Sequence, residues 1–164
     1  MQNKDAPPLF VVFAGGGFGW ETRNLLQRLA PTNRIVVLAP DPVSFPETDS
    51  LRIVRVPAIT LIKGANLVRT TYRVLVSALL YLRLILEHRP RALICVGSSI
   101  AIPLFLAGGL LRRKRIFIES ITRVTQMSQT ARLIDRFSLC ERLYVQWPET
   151  ASLARKAIYR GSIL

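Results

Sequence analysis

Short runs made almost wholly of apolar residues, each closed by a glycine, proline or polar residue, recur along this chain and restrict its fold more than any other feature. Leu9 to Ala14 (LFVVFA) is continuous rather than alternating, as expected of a strand buried on both faces. Ile35 to Ala39 forms a second strand, closed by Pro40-Asp41-Pro42, and Ala92 to Val96, Ile116 to Ile118 and Leu143 to Val145 supply three more. Leu51 to Val56 alternates apolar with basic residues and reads as a strand nearer the sheet edge. Helix-compatible segments lie between these runs. One carries Leu25, Leu26 and Leu29; a long one runs from about Asn66 to His88, with Pro90 marking its end. An apolar one extends to about Leu111, and another surrounds Ala131 to Phe137. Glu149 to Lys156 suits a short last helix and Ile158 to Leu164 a tail, while Pro57 to Gly64 is a connection. Strands alternating with helices imply a doubly wound α/β fold, Rossmann-like, with a mainly parallel sheet. The length of 164 residues suits one domain, spanning 1–164, and the chain shows no repeat, low-complexity stretch or linker.

In such a sheet, ligands collect at the carboxyl ends of the strands. The first of those ends opens into AGGGFGWETRN, where Gly15, Gly16, Gly17 and Gly19 let the backbone approach a ligand and the start of a helix offers free N–H groups to an anion. No Lys-Ser/Thr pair follows, so this is not a Walker loop. As a dinucleotide fingerprint it is poor, because position 20 is Trp, and Asp41 after the second strand sits between prolines. A plain tight turn is the competing reading. Gly97-Ser98-Ser99 is a second strand-to-helix turn of the same kind. The stretch from Arg115 to Pro148 holds two more ends. Its first strand closes on Glu119, followed by Ser120, Thr122 and Arg123, and its second on Gln146-Trp147-Pro148. An acid and an arginine just past a strand end are candidates for a site; spacing alone favours a surface acid paired with a surface arginine.

Lys and Arg outnumber Asp and Glu 23 to 10, a formal charge of +13 that suits a polyanion: nucleic acid, anionic lipid headgroups or a diphosphate. Cys95 and Cys140 stand far apart, with no metal or redox spacing, and the sequence shows no metal-ligand cluster. The N-terminus has the character of neither a signal peptide nor a transmembrane anchor. Leu93 to Leu111 carries no charge over a membrane-spanning length, yet Gly97-Ser98-Ser99 interrupts it and Pro103 fits a first turn, so it reads as strand, turn and helix. In the long helix, Tyr72, Leu75, Leu79, Leu82 and Leu86 form a stripe suited to packing on the sheet. Val74, Val76, Leu80, Leu84 and Ile85 make its other faces apolar too, and Arg69, Arg73, Arg89 and Arg91 flank the run. Two readings stand: a helix lying in an anionic membrane interface through Val76, Leu80 and Leu84, or one buried against a partner protein. Arg112 to Arg115 is a solvated turn or a lipid contact.

The segment IFIESITRVTQMS, followed by LYVQWPE, resembles the ES-x-x-R-V and V-Q-W-P motifs of the membrane-anchor subunits of two-chain N-acetylglucosaminyltransferases (asparagine-linked glycosylation fourteen-like), with bacterial relatives of PssD type in capsule and exopolysaccharide assembly. RPRALICVGSSIAIPL and the terminal YRGSIL keep the family's order. The resemblance implies the acceptor-side half of a split GT-B fold, active only with a partner chain that binds the nucleotide-sugar donor. No cofactor beyond that donor is implied. The acceptor would be a polyprenyl-diphosphate-linked saccharide, and the site the cytoplasmic face of the cell membrane, held peripherally or monotopically. Carried onto this chain, it makes Glu119 and Glu21 candidate catalytic acids. Gly16, Gly17, Gly19, Gly97, Ser98, Ser99 and Arg123 become the diphosphate contacts, with Arg123 offering a planar fork to phosphate oxygens. Gln146, Trp147, Pro148, Tyr159 and Gly161 become the partner contact, a core tryptophan being the alternative for Trp147. The family's glycine loop usually ends Gly-Gly-His; here Trp20 stands in that region, and the only histidine, His88, ends the long helix. Two rivals are weaker. A stand-alone nucleotide-binding oxidoreductase needs a cleaner fingerprint and a substrate domain. A nucleic-acid-binding module is suggested by charge alone, without a recognition motif.

Overall fold

The apolar runs lie side by side in one parallel sheet in a computed structural model, which describes residues 6–14, 17–40, 50–57 and 67–163. The strands are β1 (Leu9–Val12), β2 (Ile35–Ala39), β3 (Leu51–Arg55), β4 (Ala92–Val96), β5 (Lys114–Ile118), β6 (Arg142–Val145) and β7 (Ala157–Tyr159). Their spatial order is β3-β2-β1-β4-β5-β6-β7, and every pairing is parallel. The helices are α1 (Gly17–Leu29), α2 (Leu67–His88), α3 (Ala101–Leu110), α4 (Gln129–Arg136) and the single turn α5 (Pro148–Ala151). The chain starts in the middle of the sheet, winds out to β3, crosses back along α2 and winds the other way to β7. The order therefore reverses between β1 and β4, where doubly wound folds place their ligand crevice.

Alternate residues of each central strand enter opposite cores, which is why these strands are apolar throughout. Phe10, Val12, Leu93, Cys95, Phe117 and Leu143 join Tyr81 and Ile85 of α2, Leu104 and Phe105 of α3 and Ile134 of α4 on one face. Leu9, Val11, Val37, Ile94, Val96 and Ile118 join Leu26 of α1 on the other. At Gly108 the backbone of α3 sits so close to β4 that any Cβ would overlap the Leu93 side chain. The edge position expected for Leu51–Val56 holds.

Three expectations are corrected. The stripe of α2 that packs inward is Ser77, Tyr81 and Ile85, whereas Tyr72, Leu75, Leu79 and Leu86 are exposed. The helix is apolar on every side, so periodicity alone could not choose the buried face; the fit of Tyr81 and Ile85 between the sheet and α3 decides it. The helix expected from Glu149 to Lys156 stops after one turn, because the Asp135 carboxylate accepts the N–H groups of Arg155 and Lys156 and draws the chain sideways. The tail from Ile158 then opens as a strand, with Ala157 opposite Leu143 and Tyr159 opposite Val145.

Three helices finish on a non-glycine residue in the left-handed region: Arg89 after α2 (φ 46°), Arg112 after α3 (φ 51°) and Ser138 after α4 (φ 50°). After α3 the Arg113 N–H reaches back to the Gly108 carbonyl at 2.8 Å, and after α4 Leu139 does the same to Ile134 at 2.9 Å, the paired-bond ending that usually recruits glycine.

The hydroxyl of Tyr81 is fully buried and has no hydrogen-bond partner among the described residues, and burial pushes the phenol's pKa well up. An unsatisfied buried hydroxyl costs about 1–3 kcal/mol. Tyr81→Phe keeps the ring and removes that cost, so thermal unfolding of the variant should occur a few degrees above the parent.

Candidate functional site

The carboxyl end of the sheet carries the start of α1, the turn before α3, the loop from Glu119 to Ser128 and the segment after β6. The first two meet directly. Gly97 adopts φ +61°, and a Cβ there would lie 2.5 Å from the Phe18 ring of α1, so only glycine lets the turn close on the helix. Ser98 supports the same turn: its hydroxyl accepts the Ile100 N–H at 3.3 Å and its carbonyl accepts that of Ala101 at 3.2 Å. Neither serine caps α3: the N-cap position is Ile100, which makes no side-chain cap hydrogen bond. Gly17 and Gly19 lie in the first turn of α1; Gly16 falls outside the described residues.

The two candidate acids are both buried, each 1 % exposed, and both hold the same loop. Glu119 accepts the Ser120 N–H on one oxygen at 3.0 Å and the Ser128 N–H on the other at 2.8 Å. Glu21, from α1, accepts the Ser120 hydroxyl on Oε1 at 2.6 Å, and the Ile121 N–H at 3.0 Å and the Gln146 amide at 2.6 Å on Oε2. Trp147 Nε1 donates to the Ile121 carbonyl at 2.6 Å, and the Thr150 hydroxyl bonds the carbonyls of Arg123 and Val124 at 2.9 and 2.7 Å. Anchored this way from beneath, the loop presents Thr122, Arg123, Val124, Thr125 and Gln126 to solvent.

The sequence expectation of an acid–arginine pair resolves differently. Arg123 is exposed and its charge acts on Glu119, but the carboxylate oxygens bond to backbone N–H groups, with no contact ion pair to Arg123. Gln146 is 4 % exposed with its amide engaged inside the molecule, so its side chain offers no surface to a partner. Trp147 is half-buried, its ring N–H bonded within the chain, whereas Pro148, Tyr159 and Gly161 are exposed. Sequence reasoning missed the anchoring by Ser128 and Thr150. Ser128, whose hydroxyl accepts the Ala131 N–H at 3.0 Å, was findable as an N-cap ahead of the Ala131–Ile134 apolar pair; nothing in the sequence marks Thr150. Among the described residues no group of three or more His, Cys, Asp or Glu side chains could hold a metal ion.

Burial pushes the Glu119 carboxyl above its ordinary value of 4.5, against the N–H bonds from Ser128 and Ser120 and the charge of Arg123, which lower it. A carboxyl whose folded pKa exceeds its unfolded one holds its proton more tightly when folded. Its stabilising contribution is therefore full below the unfolded value and is lost as pH rises through the folded one. Urea unfolding of the parent and of Glu119→Gln, compared from about pH 4 to 7, should show the parent losing stability relative to the variant as pH rises through the upper carboxylate range.

Comparison with known proteins agrees with this architecture. The chain is 28% identical over 183 residues to the UDP-N-acetylglucosamine transferase subunit ALG14 of Yarrowia lipolytica, covering 96% of this chain and 82% of that one. Its fold is similar to MurG of Acinetobacter baumannii (TM-score 0.64, 15% identity) and to S. aureus MnaA solved with UDP (TM-score 0.63, 10% identity). Those superpositions cover 95% and 96% of this chain but only 45% and 44% of the solved ones, so the chain spans less than half their length. The likeness is to one Rossmann-like half of a GT-B architecture. The family described as oligosaccharide biosynthesis protein Alg14 like matches residues 9–163, and the chain belongs to that family.

Proposed function

We propose that this chain is the acceptor-side subunit of a two-chain glycosyltransferase, moving a sugar from a nucleotide-sugar to a polyprenyl-diphosphate-linked saccharide in exopolysaccharide or capsule assembly at the cytoplasmic membrane face. The observation that carries the reading is the division of the fold: nearly the whole chain superimposes on less than half of MurG. A second chain would supply the other half and with it most of the nucleotide site. In this reading the acceptor diphosphate lies over the switch point between β1 and β4. The free N–H groups at the start of α1, around Gly17 and Gly19, attract it, as does the turn of Gly97, Ser98 and Ser99. Gly16 lies outside the described residues. Arg123 closes over the diphosphate from the anchored loop and neutralises charge as the donor's own diphosphate leaves. Glu119 and Glu21 act by holding that loop, and the partner meets Trp147, Pro148, Tyr159 and Gly161.

Membrane recruitment rests on the outer face of α2. Among the described residues no helix is long and apolar enough to cross a membrane. Val76 is 48% exposed, with Leu80 and Leu84 partly so. Tyr72, Leu75, Leu79 and Leu86 add to them, and between α2 and α3 an apolar groove of about 680 Å³ is lined by Leu75, Leu79, Leu82, Leu106 and Leu110. Exposed Arg73, Arg83, Arg112 and Lys114 border this face, the pattern of a helix seated among anionic headgroups.

Purified alone, the chain should transfer no sugar. With its nucleotide-sugar-binding partner on a polyprenyl-diphosphate acceptor, Arg123→Ala should lower kcat/KM about 10- to 100-fold, the loss expected for one charge-assisted contact. A screen of UDP-sugars in that assay identifies the donor. Robust transfer by the single chain would defeat the reading. In the same preparation Leu79→Glu with Leu110→Glu should release the protein from anionic vesicles, and unchanged vesicle binding by the folded variant would remove the membrane role from this face.

A further inference from the structure

Gln146 is a buried side chain that touches three separate parts of the carboxyl-end machinery. Its Nε2 donates to Glu21 Oε2 at 2.6 Å and to the Glu119 carbonyl at 3.0 Å, while its Oε1 accepts the Ser162 hydroxyl at 3.0 Å and the Ile163 N–H at 3.1 Å. An amide has two donor hydrogens and two acceptor lone pairs, so its capacity is filled. The flanking geometry gives these bonds direction. On one side, the Glu21 oxygen that receives the amide also receives the Ile121 N–H, at the root of the loop presenting Arg123. On the other, Ser162 and Ile163 follow β7 past Gly161, whose φ of +87° turns the chain back, and Ile163 packs against the α1-face core. A group that moves the 162–163 segment rotates or strips the amide, and Glu21 then loses a donor in a water-poor site where an unpaired carboxylate oxygen is costly.

We propose that Gln146 is a positioning residue that couples the C-terminal segment at Ser162–Ile163 to Glu21 and, through it, to the loop bearing Arg123, so that docking of the partner chain beside that segment sets the loop for transfer. The coupling to catalysis rests on the function proposed above; the mechanical coupling does not, and the two are tested apart.

The mechanical arm is amide hydrogen exchange on the isolated chain. Ser162→Ala combined with Ile163→Pro removes both tail donors without touching the loop. Exchange of the Ile121 amide should quicken about tenfold, while that of Ser128, which bonds Glu119 and not Glu21, stays at the parent rate and reports an intact fold. Gln146→Glu adds a signature that loss of packing lacks. It keeps acceptor oxygens for the tail, but when ionised it sets a second carboxylate against Glu21. Its Ile121 exchange should therefore speed up as pH rises from about 5 to 8 relative to the parent. In the partnered enzyme, the tail double variant should lower kcat about tenfold with the KM for the nucleotide-sugar unchanged. Parent-like Ile121 exchange in the tail variant, or pH-independent exchange in Gln146→Glu, overturns the coupling. Altered exchange together with unchanged kcat overturns its role in transfer. If no partnered preparation transfers sugar, the functional reading fails while the exchange result still decides the coupling.

Discussion

Two carboxylates buried at the carboxyl end of the sheet set the conditions for everything around them. A charge taken out of water must be met by donors or it will not stay charged, and in this chain the donors are the backbone N–H groups and hydroxyl of one loop together with the Gln146 amide. Glu119 grips that loop at both ends, at Ser120 and Ser128, and Glu21 grips it at Ser120 and Ile121 from a different element. In a chain with a formal charge of +13, neither acid makes a contact ion pair with an arginine among the described residues. The result leaves Arg123 outside with its charge available and its backbone fixed by Thr150. An acid and an arginine four residues apart thus take different settings: one fixes the loop from within, and the other stands exposed on it.

The sheet was largely legible before any coordinates, for a physical reason. β1, β2 and β4 are buried on both faces, so each position is apolar and the runs stand out. β7 is short, at the edge and half-exposed, and Ala-Ile-Tyr carries no such signal. The buried face of α2 was illegible because Leu and Val occupy all its sides; only the partner surface, through Tyr81 and Ile85, selects one. At the site, the presence of Glu119, Glu21, Arg123 and Gln146 could be read from their motifs. Their roles could not, since a hydrogen bond between Glu21 and Gln146 joins elements that the sequence keeps far apart.

The distribution of charge separates two ends of the molecule. Around the outer groove, arginines and a lysine border leucine side chains, while Arg115, within its lining, is clamped by Glu141 through both its guanidinium and its backbone N–H. On the loop from Thr122 to Gln126 the exposed side chains are mostly polar, and Glu119 and Glu21 are buried. An apolar groove and a set of polar loops thus occupy different parts of one scaffold.

The position of β1 at the centre of the sheet has a consequence for how the protein is born. Leu9 pairs with Ile35 on one side and with Ala92 on the other, so a ribosome releases the first three strands and the whole of α2 before β4 exists to close the sheet. Through that interval one edge of β1 has no strand beside it, and the inner and outer faces of α2 are both uncovered. Parallel pairings between distant segments form late and leave such edges open to wrong partners.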